Sequence, residues 1–252
     1  MSKRYWLTGA SSGIGEALAR ELLEQGCELI VSARSAERLQ PLVDAYPERC
    51  QALAVDLIDA EQLARAEEEL GGLCDYLDGV IVNAGTCEYI DVKAFDPAPF
   101  ARVMAINFQG AVNTLALALP LLRKTERAHV IGIGSMVTRL PLPRSQAYGG
   151  SKAAFEYLMN SLRVDLAGEG IDVTLVRPGF VKTPLTDRND FDMPFLQTPI
   201  QAAQIIAKGI HKRRRIVQFP RPLVIIMALV RFLPLGLQTG FLKKLSRNQE
   251  HS

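Results

Sequence analysis

The sequence predicts one doubly wound α/β domain, a mostly parallel sheet held between two helical layers. Three observations predict it. Short β-like apolar runs alternate with longer helical patterns through most of the chain, the first such junction is a glycine-rich turn, and no internal linker divides the sequence. A parallel strand covered on both faces reads as a continuous apolar run, and each crossover needs a helix to cover the sheet.

Taken in order, the strands are expected at Tyr5–Thr8, Glu28–Ala33, Gln51–Val55, Gly79–Asn83, His129–Ile133 and Asp172–Arg177. Helical patterns fill Gly13–Gln25, Glu37–Tyr46, Ala60–Leu70, Pro97–Leu122 and Ala147–Gly168 between them. Gly26 stops the first helix by accepting a left-handed backbone, and Gly168 and Gly170 do the same before the sixth strand. Pro97 starts a helix, where its missing amide proton costs little. A final strand in the tail brings the expected sheet to seven. The domain is expected over 1–215, with a substrate loop at 183–199 and a C-terminal extension at 216–252 packed on the same domain or on a partner.

The 252 residues suffice for one such domain, and 48% apolar with 22% charged residues are ordinary globular values. A net charge of +2 gives no reason to expect a nucleic acid as partner. Cys27, Cys50, Cys74 and Cys87 are scattered without a C-x-x-C pair, and the three histidines are dispersed, so no metal site is expected. The chain opens on Arg4-Tyr5-Trp6-Leu7-Thr8 without an extended apolar signal segment, which makes cytoplasmic residence the expectation.

The first turn reads Thr8-Gly9-Ala10-Ser11-Ser12-Gly13-Ile14-Gly15, from an expected strand into an expected helix. Gly9 can make the turn, Gly13 can clear space for a pyrophosphate, and Gly15 can let helix and strand pack closely, with helix-start amides facing the phosphates. The spacing is longer than G-x-G-x-x-G, and an economical strand-to-helix connection is the competing explanation. The second strand ends Ser32-Ala33-Arg34, where an NAD site would carry an acid. Arg34 can pair with the 2′-phosphate of NADP(H), aided by Ser32 or Ser35; alternatively it is solvated or pairs with Glu37. Asp56 either meets the adenine side or caps the next helix. Asn83-Ala84-Gly85 ends the fourth strand in the same crevice, small enough to leave room for a nucleotide.

Tyr148-Gly149-Gly150-Ser151-Lys152 places a phenol and an amine on one helical face, and Ser135 follows the fifth strand at the end that opens to the ligand crevice. Ser135 can stabilise the negative oxygen of a carbonyl that receives hydride, and Tyr148 can give or take its proton. A phenol of pKa about 10 suits neutral pH poorly, so a cation, Lys152, is expected to favour its charged form. Asn107, within Ala105-Ile106-Asn107-Phe108, either holds water against Lys152 or satisfies itself on local backbone.

With these pieces in order, the sequence resembles the short-chain dehydrogenase/reductase family, in its roughly 250-residue NADP(H)-preferring branch. The matching segments are Thr8–Gly15, Asn83–Gly85, Asn107, Ser135, Tyr148–Lys152 and Pro178-Gly179. The resemblance implies a Rossmann-like domain and an Asn107–Ser135–Tyr148–Lys152 tetrad. It further implies cofactor contacts from Ser11, Ser12, Ile14, Leu57, Pro178, Gly179, Val181 and Thr183. Val82 departs from the pattern, since many relatives carry another asparagine there, and altered local packing is expected. The long helices are expected to pair in a homodimer or homotetramer. The competing reading is an NADP(H)-binding regulatory or scaffold protein with little turnover.

For a substrate, Met136, Val137, Leu140, Leu142, Phe180 and Leu185 suggest an apolar wall beside Ser135 and Tyr148, suited to a hydrophobic carbonyl or secondary alcohol. The 183–199 loop adds Phe191, Met193, Phe195 and Leu196 as a flap that excludes water. Lys212-Arg213-Arg214-Arg215 followed by the apolar Pro220–Leu237 suggests either packing over the cleft or a subunit, or peripheral membrane contact. The eight apolar residues from Leu223 to Val230 are too few to cross a bilayer.

Overall fold

The computed structural model describes residues 2–187 and 192–243; Phe191 of the expected flap and residues 244–252 of the expected extension lie outside them. Seven strands form one sheet: β1 (Arg4–Thr8), β2 (Glu28–Ala33), β3 (Cys50–Ala54), β4 (Gly79–Val82), β5 (His129–Ile133), β6 (Asp172–Pro178) and β7 (Ile216–Phe219). Their order is β3-β2-β1-β4-β5-β6-β7 with every pairing parallel. The chain turns back between β1 and β4, which opens a crevice at the carboxyl ends of those strands.

The helices are α1 (Gly13–Glu24), α2 (Gln40–Ala45), α3 (Ala60–Leu73), α4 (Ala98–Met104), α5 (Gly110–Leu122), α6 (Gln146–Asp165), α7 (Pro199–His211), α8 (Arg221–Arg231) and α9 (Leu235–Lys243). Two apolar cores divide them. Tyr5 and Leu7 of β1 point to one face with Leu18 and Leu22 of α1, Leu42 of α2 and Ile206 of α7. Trp6, between them, points to the other with Leu70 of α3, Leu115 of α5 and Phe155 of α6. The period-two alternation of strand side chains thus feeds both helical layers.

The helical run from Ala98 to Leu122 is 25 residues long and apolar enough to span a bilayer by length and composition. In the fold its buried side, including Ala111, Leu115, Ala118 and Leu122, packs into the second core. The expected single helix is broken at its middle by a π turn over Ala105–Gln109, where the Gly110 amide donates to the Ala105 carbonyl. Such bulges recur at functional sites, and Asn107 sits at the centre of this one.

Ile216–Phe219, the strand expected in the tail, completes the sheet against Leu175–Pro178. The sheet therefore continues past residue 215, and the chain beyond it begins at α8. Two local expectations are also corrected. The helix expected from Glu37 starts at Gln40, and Asp59 rather than Asp56 caps α3, accepting from the Gln62 amide at 3.0 Å. Asp56 closes a turn by accepting from the Ile58 amide at 3.2 Å.

Candidate active site

At the switch between β1 and β4 the structure holds a crevice of about 580 Å³, lined by the first turn, the end of β2, Asp56 and Leu57, Asn83–Gly85, Ser135, Tyr148, Lys152 and the 178–186 segment. Every residue assigned to the cofactor lines it; Ser35, offered as an aid to Arg34, does not, nor does Asn107, which was assigned to the chemistry alone. Thr8 anchors its rim. Its hydroxyl donates to the Ile81 carbonyl at 3.3 Å and accepts from the Asn83 and Ala84 amides. The Asn83 amide side chain donates to the carbonyls of Thr8 and Gly9, each at 3.0 Å, so it stitches the fourth-strand turn to the first.

The glycines of the first turn are required by contact. Gly9 has φ +70, open to glycine but strained for other residues. A Cβ on Gly15 would stand 2.1 Å from the Gly9 carbonyl oxygen, which keeps α1 close under the turn. Gly13 differs somewhat from expectation: a Cβ there would first meet Thr183, 3.0 Å away. Its missing side chain lets the 183–186 segment close over the phosphate turn.

At the adenine end, Arg34 and Arg38 both line the crevice and are exposed. Among the described residues neither has an ion-pair partner, so the expected alternative of an Arg34–Glu37 pair is not formed. Ser32 lines the crevice too, and its buried hydroxyl accepts from the Trp6 indole at 2.8 Å. Arg38, four residues beyond Arg34 in the turn that leads into α2, was missed by sequence reasoning.

At the other end, α6 brings Tyr148 and Lys152 to one side, as their spacing predicts. The Lys152 ammonium donates to the Ile133 carbonyl at 2.9 Å and lies 6.0 Å from the Tyr148 ring centroid. Burial lowers the Lys152 pKa to about 8. Burial also pushes the Tyr148 phenol above its ordinary value, against a side-chain hydrogen bond with Ser135 that favours its charged form. Lys152 was expected to lower that pKa; desolvation sets the direction here, and the Ser135 hydrogen bond is what opposes it. Cys87, which sequence reasoning left as incidental, is an electrostatic neighbour of both groups. Burial raises its thiol to about 11, so it stays neutral.

Asn107 is buried, and the expected alternative of satisfying itself on local backbone is not what its side chain does. The amide donates to the Thr86 carbonyl and to the Ser151 hydroxyl, each at 2.9 Å, while its oxygen accepts from the Thr86 backbone at 2.7 Å. Ser151, also missed, passes the link on by donating to the Tyr148 carbonyl at 2.8 Å. Asn107 therefore clamps the loop after β4 to the turn of α6 that carries Tyr148. A Cβ on Gly85 would fall 3.1 Å from the Asn107 oxygen and 3.4 Å from the Lys152 nitrogen, so three motifs meet at this point.

The apolar wall is only partly open. Leu185 lines the crevice, whereas Met136 and Leu140 are buried with Leu223, Met227 and Val230 of α8, and Leu142 and Phe180 pack on that cluster. Val137 is buried as well. α8 packs on these residues of the segments that follow β5 and β6, and none of its own side chains lines the crevice. The basic run does not join it. Arg213 donates to Asp172 at 2.6 Å and to the carbonyls of Ala128 and Arg127, at the amino end of β7, while α8 starts beyond its carboxyl end. Val82, the departure from the family pattern, is simply buried in the second core.

A shape and residue set of this kind fit an elongated dinucleotide: glycines without room for a Cβ at the phosphate turn, free guanidinium groups at one end, and a proton donor at the other.

The family model for short chain dehydrogenases matches residues 3–193. An uncharacterised oxidoreductase of Myxococcus xanthus is 36% identical over 238 residues, covering 90% of this chain and 91% of its own. Among solved structures, a short-chain dehydrogenase of Streptomyces avermitilis superposes with a TM-score of 0.80 at 24% identity, over 97% of this chain and 94% of the other. A short-chain dehydrogenase/reductase of Burkholderia phymatum in complex with NAD gives 0.81 at 20% identity, over 90% and 92%. Seven parallel strands, the nucleotide crevice at the β1–β4 switch and the family match across most of the chain lead to one conclusion: this protein is an oxidoreductase of the short-chain dehydrogenase/reductase family, with a Rossmann-like domain that binds NAD(H) or NADP(H).

Proposed function

We propose that the protein transfers hydride between NADP(H) and the carbonyl or secondary alcohol of a hydrophobic small molecule, with Tyr148 as general acid and base. One observation carries this reading: Tyr148, Ser135 and Lys152 line the same crevice as Arg34 and Arg38. The nicotinamide ring, when bound, supplies or accepts the hydride. Ser135 donates a hydrogen bond to the substrate oxygen as negative charge develops there. Tyr148, held protonated by burial at neutral pH, gives its proton to that oxygen in carbonyl reduction; alcohol oxidation runs through its phenolate. Lys152 stabilises the phenolate and would help hold the nicotinamide ribose, and Asn107 with Ser151 fixes the turn that presents Tyr148.

Arg34 and Arg38 support the phosphorylated cofactor, because two cations without carboxylate partners face the adenine end and no acid stands where a ribose 2′-hydroxyl would need one. The NAD seen in the Burkholderia phymatum protein belongs to that protein. Tyr157 and Val164, 78% and 76% exposed seven residues apart on α6, support pairing of that helix with a second copy.

The test is a cofactor-resolved screen of hydrophobic ketones, aldehydes and secondary alcohols, run on wild type and Tyr148→Phe. Turnover is expected to fall by about 10²–10⁴ in the variant while NADPH binding persists. Equal turnover in the two proteins would remove Tyr148 from the chemistry.

A further inference from the structure

The inner face of α8 is accounted for by Leu223, Met227 and Val230, which pack on Met136 and Leu140. Its outer face is not. Ile225, Leu229, Phe232, Leu233, Leu235 and Leu237 are all exposed along α8 and the start of α9, Phe232 by 89% and Leu235 by 76%. Scattered apolar side chains are normal on a surface, but six within thirteen consecutive positions form a patch that calls for a partner. The charges along this segment of the chain have one sign. Between Asp192 and Glu250 the chain carries ten Lys or Arg residues and not one Asp or Glu. Arg221 and Arg231 bound α8, Lys243 ends α9, and all three are exposed.

We infer that the outer face of α8 and α9 docks the protein on an anionic lipid bilayer, in the plane of the surface. An α-helix of 11 residues is about 16 Å long, well short of the hydrocarbon thickness, so α8 lies in the interface and does not span. Apolar side chains enter the acyl boundary while a rim of cations meets anionic headgroups. A second copy fits this patch poorly. A two-fold contact would set Arg221, Arg231 and Lys243 against the same residues of the other chain, with no acid in the segment to neutralise them. The run Lys212–Arg215 is not needed, since it lies at the far end of β7. This docking is independent of the redox chemistry proposed above.

The experiment is co-sedimentation of the full chain with vesicles of phosphatidylcholine alone or mixed with phosphatidylglycerol, alongside sedimentation velocity without lipid. Wild type is expected to partition onto the mixed vesicles, less onto the neutral ones, and less again as salt is raised. A Leu229→Ser/Phe232→Ser/Leu235→Ser variant is expected to lose at least about tenfold in partitioning at unchanged sedimentation coefficient and cofactor affinity. An Arg221→Gln/Arg231→Gln/Lys243→Gln variant is expected to lose the preference for anionic lipid. Wild type that stays with the supernatant, variants that bind as it does, or a serine variant that falls to a smaller species without lipid would overturn the inference, the last by assigning the patch to a second copy. Cofactor turnover, read separately on a soluble carbonyl, reports on the proposed chemistry alone.

Discussion

The Lys152 ammonium lies 6.0 Å from the centre of the Tyr148 ring and donates a 2.9 Å hydrogen bond to the Ile133 carbonyl, buried at the end of β5. Desolvation brings its pKa from 10.5 to about 8, so at neutral pH the folded protein holds a cation at a cost. The unfolded chain binds that proton more tightly between pH 8 and 10.5. Stability contributed by this site therefore rises with pH across the window, and the burden at pH 7 is about 3 kcal/mol. Lys152→Met is expected to be more stable than wild type at pH 7, with the advantage shrinking toward pH 10, and to have lost turnover. Denaturant unfolding at several pH values checks this; a constant difference between the two proteins would show that the lysine carries no such strain.

Cofactor choice rests on Arg34 and Arg38. Each is exposed and, among the described residues, without an ion-pair partner, so removing either leaves no buried charge behind and the fold is expected to stand. Arg34→Ala and Arg38→Ala are each expected to cut the preference for NADPH over NADH by about tenfold, since charge-assisted contacts to phosphate contribute on that order. Fluorescence titration with both cofactors reads the ratio. Weakened binding of NADH and NADPH in equal measure would assign both side chains to the shared part of the dinucleotide.

Much of this was legible in the sequence because the deciding physics is local. A strand buried on both faces has to be apolar throughout, as Val80, Ile81 and Val82 are, and a turn that brings α1 under Gly9 cannot carry a Cβ at Gly15. Tyr148 and Lys152 share a side of α6 because four residues make one helical turn. What stayed hidden depends on contacts distant in sequence. The π turn at Asn107 coincides with its clamp on Thr86, 21 residues away, and nothing in Ala105–Gln109 announces it. Arg213 read as part of a charged surface run, yet its partner Asp172 lies on a strand 41 residues earlier. Ser151 and Arg38 did leave a signal. Ser151 sits three residues beyond Tyr148 on the same helix, and Arg38 is a second cation four residues beyond Arg34.

His129 sets the acid limit of the fold. It is buried in β5, its Nε2 lies 2.7 Å from the Thr174 hydroxyl, and that hydroxyl donates to the Arg214 carbonyl at 2.6 Å. With the only hydroxyl proton spent, Nε2 has to be the donor, and the imidazole is neutral. Burial, aided by the Arg213 charge, lowers its pKa from 6.5 to about 3. As pH falls below 6.5 the unfolded chain takes a proton that the folded protein refuses, so stability is lost from there down to about 3. The loss between pH 6.5 and 5 is expected to be about 2 kcal/mol, above the range where most carboxylates titrate. His129→Gln is expected to flatten that stretch of the stability curve. Parallel curves for the two proteins in urea would exclude His129 as the source.

Arg177 of β6 and Glu156 of α6 form a buried ion pair that sequence reasoning passed over, and it bears on Tyr148 through the helix both share. The guanidinium Nε donates to Glu156 at 3.1 Å, its Nη2 makes a second contact with the same carboxylate, and Thr138 donates to that carboxylate at 2.7 Å. Burial acts to raise the Glu156 pKa, but these donors and the Arg177 and Arg139 charges hold it below the ordinary value. Removing one partner leaves an uncompensated charge between sheet and helix. Glu156→Leu is therefore expected to destabilise by about 3–5 kcal/mol, while Arg177→Met combined with Glu156→Leu recovers most of that loss, because two apolar groups leave nothing unpaired. Urea unfolding of the single and double variants measures the coupling, and additive losses would show that the two side chains act independently. Since α6 carries Tyr148 and Lys152 in its first turns, the single variant is also expected to lower turnover more than cofactor affinity, and the double variant to restore it.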